Sequence, residues 1–395
     1  MSTASNKRFT RVETLKSIAP EHLLTFLGRF KDYFSGRGVA LPQTADAKSM
    51  PYDGLVKVFL APDDSTPADL SEALYLVDEM STPEGMDDLL TEAGKNSIAI
   101  TGTEDPVTGR EDPSPADVAV QVWLANPAIL ERRHDRKSIE RSKSFDYYHS
   151  ATAPTKKLTK ISADAIKALQ KAMDEWFEDR KCGRGCRVTP HQRSDEVWFT
   201  VEHGDQVVRT PARDGLKPTV HFFRPEKSDI VVYDYRLGEI RVNARTPAIK
   251  DQYRKAFGKH LFGDEGFFLA LGKYTLDPLF EDGADALSLE GIEGLDSAKL
   301  VEVQFDEGGS QGEVEVRKAH DLFEAWKDSK RSLDRDRAIA HVKFEVKFTG
   351  SRKTRKVTLR PPNRAAFGRD ADSVVIEAWL AKNKFTKPRS GDAAK

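Results

Sequence analysis

Residues 341–360, HVKFEVKFTGSRKTRKVTLR, alternate apolar and charged side chains on either side of a short glycine-containing turn. Successive side chains of a strand point to opposite faces. Val342, Phe344, Val346 and Phe348 therefore share one face with Val357 and Leu359 of the return strand. His341, Lys343, Glu345 and Lys347 share the other with Lys356, Thr358 and Arg360, while Arg352, Lys353 and Arg355 come to the tip. The stretch reads as a β-hairpin with an apolar back and a basic front.

The same order of elements occurs once before it. Residues 299–330, KLVEVQFDEGGSQGEVEVRKAHDLFEAWKDSK, read strand, glycine-rich turn, strand, helix; after the basic hairpin, DADSVVIEAWLAKNK (370–384) supplies a second helix. The helices share the tripeptides Glu324-Ala325-Trp326 and Glu377-Ala378-Trp379, preceded by Phe323 and Ile376. This is a ββα unit used twice, with RPPNRAAFGRD (360–370) enlarging the second copy. Charge separates the copies. Residues 277–324 carry fourteen acids against Lys299, Arg317 and Lys318, a balance of −11, whereas residues 331–395 carry seventeen bases against seven acids, a balance of +10. The formal net charge of −1 hides this polarity.

Working upstream, EVWFTVEH (196–203), QVVRTP (206–211), TVHFFRP (219–225), DIVVYDY (229–235) and EIRVNA (239–244) are strand-like, and the turns HGD and RLG predict antiparallel hairpins. A helix precedes them: ISADAIKALQKAMDEWFEDRK (161–181) sets Ile166, Leu169, Met173, Trp176 and Phe177 on one face, with Ser162 as N-cap. Thr246-Pro247 caps another helix after them. Residues before 150 are mainly helical. SIAPEHLLTFLGRFKDYF (17–34) spaces Leu23, Leu27, Phe30 and Phe34 along one stripe, and Thr66-Pro67, Thr82-Pro83 and Ser114-Pro115 mark helix starts. Asp69 and Asp117 add negative charge to the first turns. YDGLVKVFLAPDD (52–64) fits a strand or a buried helix; TGTEDPVTGREDP (101–113) reads as an exposed loop and HSATAPTKK (149–157) as a linker. The expected fold class is α+β with three domains: a helical domain at 1–150, an antiparallel-sheet domain with flanking helices at 151–275, and the duplicated ββα domain at 276–395.

With 38% apolar and 32% charged residues in 395, the chain is polar yet long enough for several cores. The first residues lack the apolar core of a secretion signal, and runs such as FFLALG (267–272) are too short to span a bilayer. Two cysteines make no disulfide framework. These features predict a soluble, cytoplasmic protein with no membrane partner.

Catalytic signatures are fragmentary. Glu345-Val346-Lys347 resembles the half-motif of PD-(D/E)xK metal-dependent nucleases, whose carboxylates hold a divalent ion while the lysine stands near the attacked phosphate; Asp334 or Asp336 would have to be the upstream acid. GGSQG (308–312) matches G-x-S-x-G, but a nucleophile elbow needs a helix after it and a strand follows. No Walker A or dinucleotide-binding loop occurs. Cys182, Cys186, His191 and His203 offer four zinc ligands at an unusual spacing, yet EDRKCGRGCRVTPH (178–191) fits better as a helix-to-strand junction, with Gly183 taking the left-handed position after the helix. His203 reads as a strand-end residue and His221 as a packed one. No cofactor and no metal is called for.

The basic front of the second hairpin carries the functional expectation. Lys343, Lys347, Arg352, Lys353, Arg355, Lys356 and Arg360 form a ribbon that can neutralise phosphates, so nucleic acid or another polyanion is the expected partner of a non-enzymatic binding or adaptor protein. Arg364, Arg369, Lys382, Lys384, Lys387 and Arg389 extend the track. Two alternatives stand beside it. One is a protein-protein scaffold, with self-association of the acidic copy (Glu302, Asp306, Glu307, Glu313 and Glu315) on the basic one, between chains or within one. The other is the divalent-metal-dependent nuclease.

Overall fold

The computed structural model describes residues 7–102, 113–150, 161–193, 195–308, 310–329, 331–351, 353–368 and 373–387. The chain folds as two compact units, residues 1–138 and 139–395. It is α+β, with helices N-terminal and a large antiparallel sheet after them.

The first unit is helical: α1 (Val12–Lys16), α2 (Pro20–Gly28), α3 (Lys31–Gly36), α4 (Tyr52–Leu60), α5 (Ala68–Met80), α6 (Pro83–Lys95), α7 (Pro115–Ala125) and α8 (Pro127–Arg141), which crosses the boundary. The 17–34 stripe is two helices rather than one, because the chain leaves helical geometry at Phe30 (φ −120°, ψ 24°) just after Gly28. Its side chains still converge: Leu23, Leu27 and Phe34 are fully buried, with Phe26 among them. Residues 52–60 resolve as helix. Thr82 and Ser114 cap α6 and α7 through Gly85 N and Asp117 N, both at 3.0 Å. Thr66 does not cap α5; its hydroxyl accepts from Asp63 N (3.0 Å) and meets Tyr33 Oη (3.0 Å), so the cap position passes to Pro67. Asp117 does more than favour a helix end. Buried at 1% exposure, it accepts from Ala19 N (3.0 Å) and Gln121 Nε2 (2.9 Å) and meets His22 Nδ1 (2.8 Å), fixing the segment before α2 onto α7. Residues 103–112 of the 101–113 loop lie outside the described residues.

The second unit contains β1 (Ser144–Ser150), α9 (Ala163–Asp179), β2 (Arg187–Gln192), β3 (Glu196–Gly204), β4 (Val208–Asp214), β5 (Lys217–Phe223), β6 (Glu226–Asp234), β7 (Glu239–Asn243), α10 (Pro247–Phe257), β8 (Phe268–Leu269) and α11 (Asp277–Glu281). It continues with β9 (Leu295–Gly308), β10 (Glu313–Lys318), α12 (Leu322–Ser329), β11 (Ala338–Phe348), β12 (Thr354–Arg360), β13 (Arg364–Ala366) and α13 (Ser373–Lys382). One sheet runs in the order β10-β9-β11-β12-β13-β1-β7-β6-β3-β2, with β8 also on β1. Segments 151–275 and 276–395 therefore share a sheet and a compact unit. Their joint is β1, which pairs antiparallel with both β13 and β7. The sequence places β1 at the end of the helical domain, where its partners, far along the chain, are invisible. Residues 151–160, which include 151–157 of the linker, lie outside the described residues.

The RLG turn makes the expected β6–β7 hairpin, but HGD does not join neighbours. β3 pairs with β2 and β6, and β4–β5 form a separate two-stranded ribbon inserted between β3 and β6. The two segments differ in burial: Val197, Phe199 and Val201 of β3 are fully buried, whereas no described side chain of 208–223 is. The chain leaves β3 at Gly204, where a Cβ would come within 2.4 Å of the Cys182 carbonyl oxygen. Only glycine fits there.

The ββα order occurs twice, as β9-β10-α12 and β11-β12-α13, with β9 and β11 paired antiparallel at the centre. Both Glu-Ala-Trp tripeptides send their tryptophan into one core: Trp326 and Trp379 pack with Val303, Phe305, Val342, Phe344, Val357 and Leu359. The second core lies on the opposite sheet face, beneath α9 and α10, and contains Leu169, Met173, Phe177, Phe199, Tyr253 and Phe257. Strand β1 shows the alternation: Phe145 and Tyr147 join the first core and Tyr148 the second.

Candidate polyanion-binding face

Leu300, Val303 and Phe305 of β9, Val342, Phe344, Val346 and Phe348 of β11, and Val357 and Leu359 of β12 belong to the core beneath α12 and α13. The opposite face of these strands is thereby left mostly to polar side chains, with Val301 among them. This face is continuous with the one that α9 and α10 cover farther along the sheet. Its junction is Asp146 of β1, which binds Lys250 of α10 on one side and accepts from Arg364 Nε of β13 (3.1 Å) on the other. Beyond β13 the register brings Arg360 opposite Arg364, Thr358 opposite Ala366, Lys343 opposite Thr358 and Lys356 opposite Glu345.

Glu302 of β9 organises the centre. It meets His341 Nε2 (3.0 Å) and accepts from Lys343 Nζ (2.9 Å), and Lys318 Nζ of β10 lies 3.2 Å away. Burial opposes its ionisation, but the His341, Lys343 and Lys318 contacts prevail and hold the carboxyl down at about 2. The cluster divides two shallow depressions. One, about 440 Å³, is bordered by Ser144, His341, Lys343, Thr358, Arg360 and Arg364; the other, about 320 Å³, by Lys318, His320, Lys343, Glu345 and Lys356. Lys318, Lys343, Lys356, Arg360 and Arg364 thus stand on one face with Glu302, Glu345 and, bound to Arg364, Asp146 as the opposing acids. A shallow polar surface of this charge can hold phosphate oxygens, and its hydroxyl and imidazole groups can donate hydrogen bonds to them.

Of the sequence-predicted residues, Lys343, Lys356 and Arg360 meet on this face. Lys347 shares its alternation and lies 3.9 Å from Asp296. Lys353 is exposed in the turn. Arg355 points the other way: opposite Val346, it lies 5.0 Å from the Phe348 ring on the core side, because it shares the phase of Val357 and Leu359. Arg352, Arg369 and Arg389 lie outside the described residues. Lys382, at the end of α13, is bound to the Glu290 carbonyl oxygen. Lys318, His320 and Ser144 escape sequence reasoning because β9–β11 and β1–β13 pairing delivers them. The fixed charge polarity between the copies was the available signal for Lys318, the last residue of an acidic hairpin.

Much of the first copy's acid is neutralised within the chain: Glu302 as above, and Glu307 and Glu315 by Arg337, the latter at 2.7 Å. Glu345 and Lys347 share the open face, while Asp334 and Asp336 sit in the turn before β11, joined by a 2.9 Å bond from Asp336 N to Asp334 Oδ1. Among the described residues no group of three or more histidine, cysteine or carboxylate side chains is placed to hold a metal ion. The 178–191 junction is a helix end in which Lys181 N bonds Glu178 O (2.9 Å) and Cys182 N bonds Phe177 O (2.9 Å). Lys181 itself takes the left-handed position (φ 65°), and Gly183 follows with φ 84°. His191 meets Thr200 (2.9 Å), and buried Cys186 has its thiol pushed up to about 12, mainly by burial and then by Asp174. His203 is buried against Phe177 and Asp229 (3.1 Å), while His221, expected to pack, is exposed on β5.

No helix among the described residues is long and apolar enough to cross a membrane. The chain matches no protein-family model and no curated protein, so function must be argued from the site.

Proposed function

We propose that this protein binds nucleic acid without catalysis, gripping phosphates on the open face of β10-β9-β11-β12-β13. The observation that carries the reading is the convergence of Lys318, Lys343, Lys356, Arg360 and Arg364, drawn from four strands, around two depressions on one face. Such a surface gives affinity that is salt-dependent and largely indifferent to sequence. The two free cysteines agree with a reducing, cytoplasmic setting. An adaptor role fits the rest of the chain, whose helical unit is a separate compact body.

The test is a gel-retardation titration of the full chain with DNA and RNA across salt concentrations. The double variant Lys356→Glu and Arg360→Glu should weaken binding at least about tenfold at low salt and flatten the salt dependence by about two counterions. Absence of binding to any DNA or RNA at low salt would overturn the reading.

A further inference from the structure

The β4–β5 ribbon pairs with no other strand among the described residues. No described side chain in 208–223 is buried. A lone two-stranded hairpin is marginally stable in water. This one nevertheless exposes Phe222 at 68%, Phe223 at 49% and the tip residue Leu216 at 93%. Such a ribbon gains order from whatever covers it.

Register and charge define the cover. Arg209 lies opposite Phe222 and Arg213 opposite Pro218, so Arg209, Arg213 and Phe222 occupy one face. Arg209, Arg213 and Lys217 face a single acid, Asp214, in the sequence of the ribbon. Each edge contains a proline, Pro211 in β4 and Pro218 in β5. Proline has no amide to offer an added strand, so a protein partner extending the ribbon edge to edge is disfavoured. What fits is a ligand that meets the face with a flat apolar surface and negative charge together. Unpaired nucleobases joined by phosphates have both; in a duplex the base faces are already stacked.

We infer that the Arg209–Arg213–Phe222 face binds single-stranded nucleic acid, with a base stacked on Phe222 and neighbouring phosphates on the two guanidiniums. The inference rests on the nucleic-acid reading above and adds to it the base contact that the open sheet face lacks. Strands β3, which leads into the ribbon, and β12 are five steps apart in the sheet, about 24 Å. The ribbon is therefore a second contact and not a part of the first.

Fluorescence anisotropy with a labelled single-stranded oligonucleotide and its duplex, on the full chain, tests the inference. Phe222→Leu keeps apolar bulk but removes the aromatic face, and should weaken single-strand binding about tenfold with the salt slope unchanged. Phe222→Trp should keep wild-type affinity or better it. Arg209→Gln with Arg213→Gln should lower the salt slope by about 1.4. The wild type should favour the single strand over the duplex. Wild-type binding that responds to the Lys356→Glu, Arg360→Glu variant but to none of the ribbon variants removes the ribbon assignment alone. Equal affinity of Phe222→Leu and wild type, or ribbon variants that abolish self-association instead of binding, overturns it as well. A wild type that binds no nucleic acid overturns both readings.

Discussion

The two C-terminal hairpins have the same order of elements and opposite phase. In β12, Val357 and Leu359 are fully buried beneath the helices. In β10, Val314 and Val316 lie opposite Asp306 and Gln304 on the open face and are 52% and 43% exposed. The core-side positions of β10 go instead to Glu315 and Arg317, opposite Phe305 and Val303. There Arg317 and Arg337 lie 4.9 and 4.0 Å from the Phe305 ring, with Glu315 bound to Arg337. The phase changes at the register break between Glu313 and Val314, one residue into the strand. A repeat can thus conserve its helices and its central strand pair while one edge strand exchanges an apolar inner face for a charged one.

That asymmetry can be broken or sharpened by substitution. Trp379 is fully buried against Phe344 and Phe385, whereas Trp326 keeps 6% exposure beside Phe323. Trp379→Ala should lose about 5 kcal/mol and Trp326→Ala about 3 kcal/mol, measured as shifts in the urea unfolding midpoint of the second unit. Equal losses would make the copies energetically equivalent. Next in size, Leu359→Ala should lose about 3 kcal/mol and Val316→Ala no more than about 0.5 kcal/mol, since only the former empties a core. A large loss at Val316 would place β10 in the opposite phase.

An effect smaller than the core truncations concerns Glu302. Its carboxyl is held at about 2 against an ordinary 4.5, so its pairing contributes stability above about pH 4.5 that is lost as pH falls toward 2. Because Lys318 and Lys343 are reached by water, the contribution is on the order of 1 kcal/mol. Thermal unfolding of Glu302→Gln should lack that pH-dependent loss. Removing this acid also leaves the open face one charge more positive, so the same variant should bind nucleic acid more tightly at low salt.

Much of this architecture was legible where neighbours in sequence are neighbours in space. The β11–β12 alternation, the Ser162, Thr82, Ser114 and Thr246 caps and the paired Glu-Ala-Trp helices are all local patterns. The continuous sheet was not, because β1 carries no mark of partners at 239–242 and 364–366. The candidate site divided the same way. Lys343, Lys356 and Arg360 follow from one hairpin, but the clamp on Glu302 draws on three strands, and its neutralising effect on the basic face cannot be read from any one of them. In sequence the exposed ribbon looks like the sheet strands around it, because alternation alone does not distinguish a strand with partners on both sides from one with a single partner.

The position of β1 also has a consequence for how the molecule is made. Asp146 and Arg364, bound across adjacent strands, are 218 residues apart. During synthesis β1 emerges long before β13, and at ordinary elongation rates its edge waits roughly 10–40 s for that partner. Everything between residues 150 and 364 is in effect one long insertion between two paired strands, a high-contact-order arrangement that folds slowly and keeps an unpaired edge open meanwhile. The nascent chain is therefore most exposed to mispairing at its middle, and it is sealed only by its last strand.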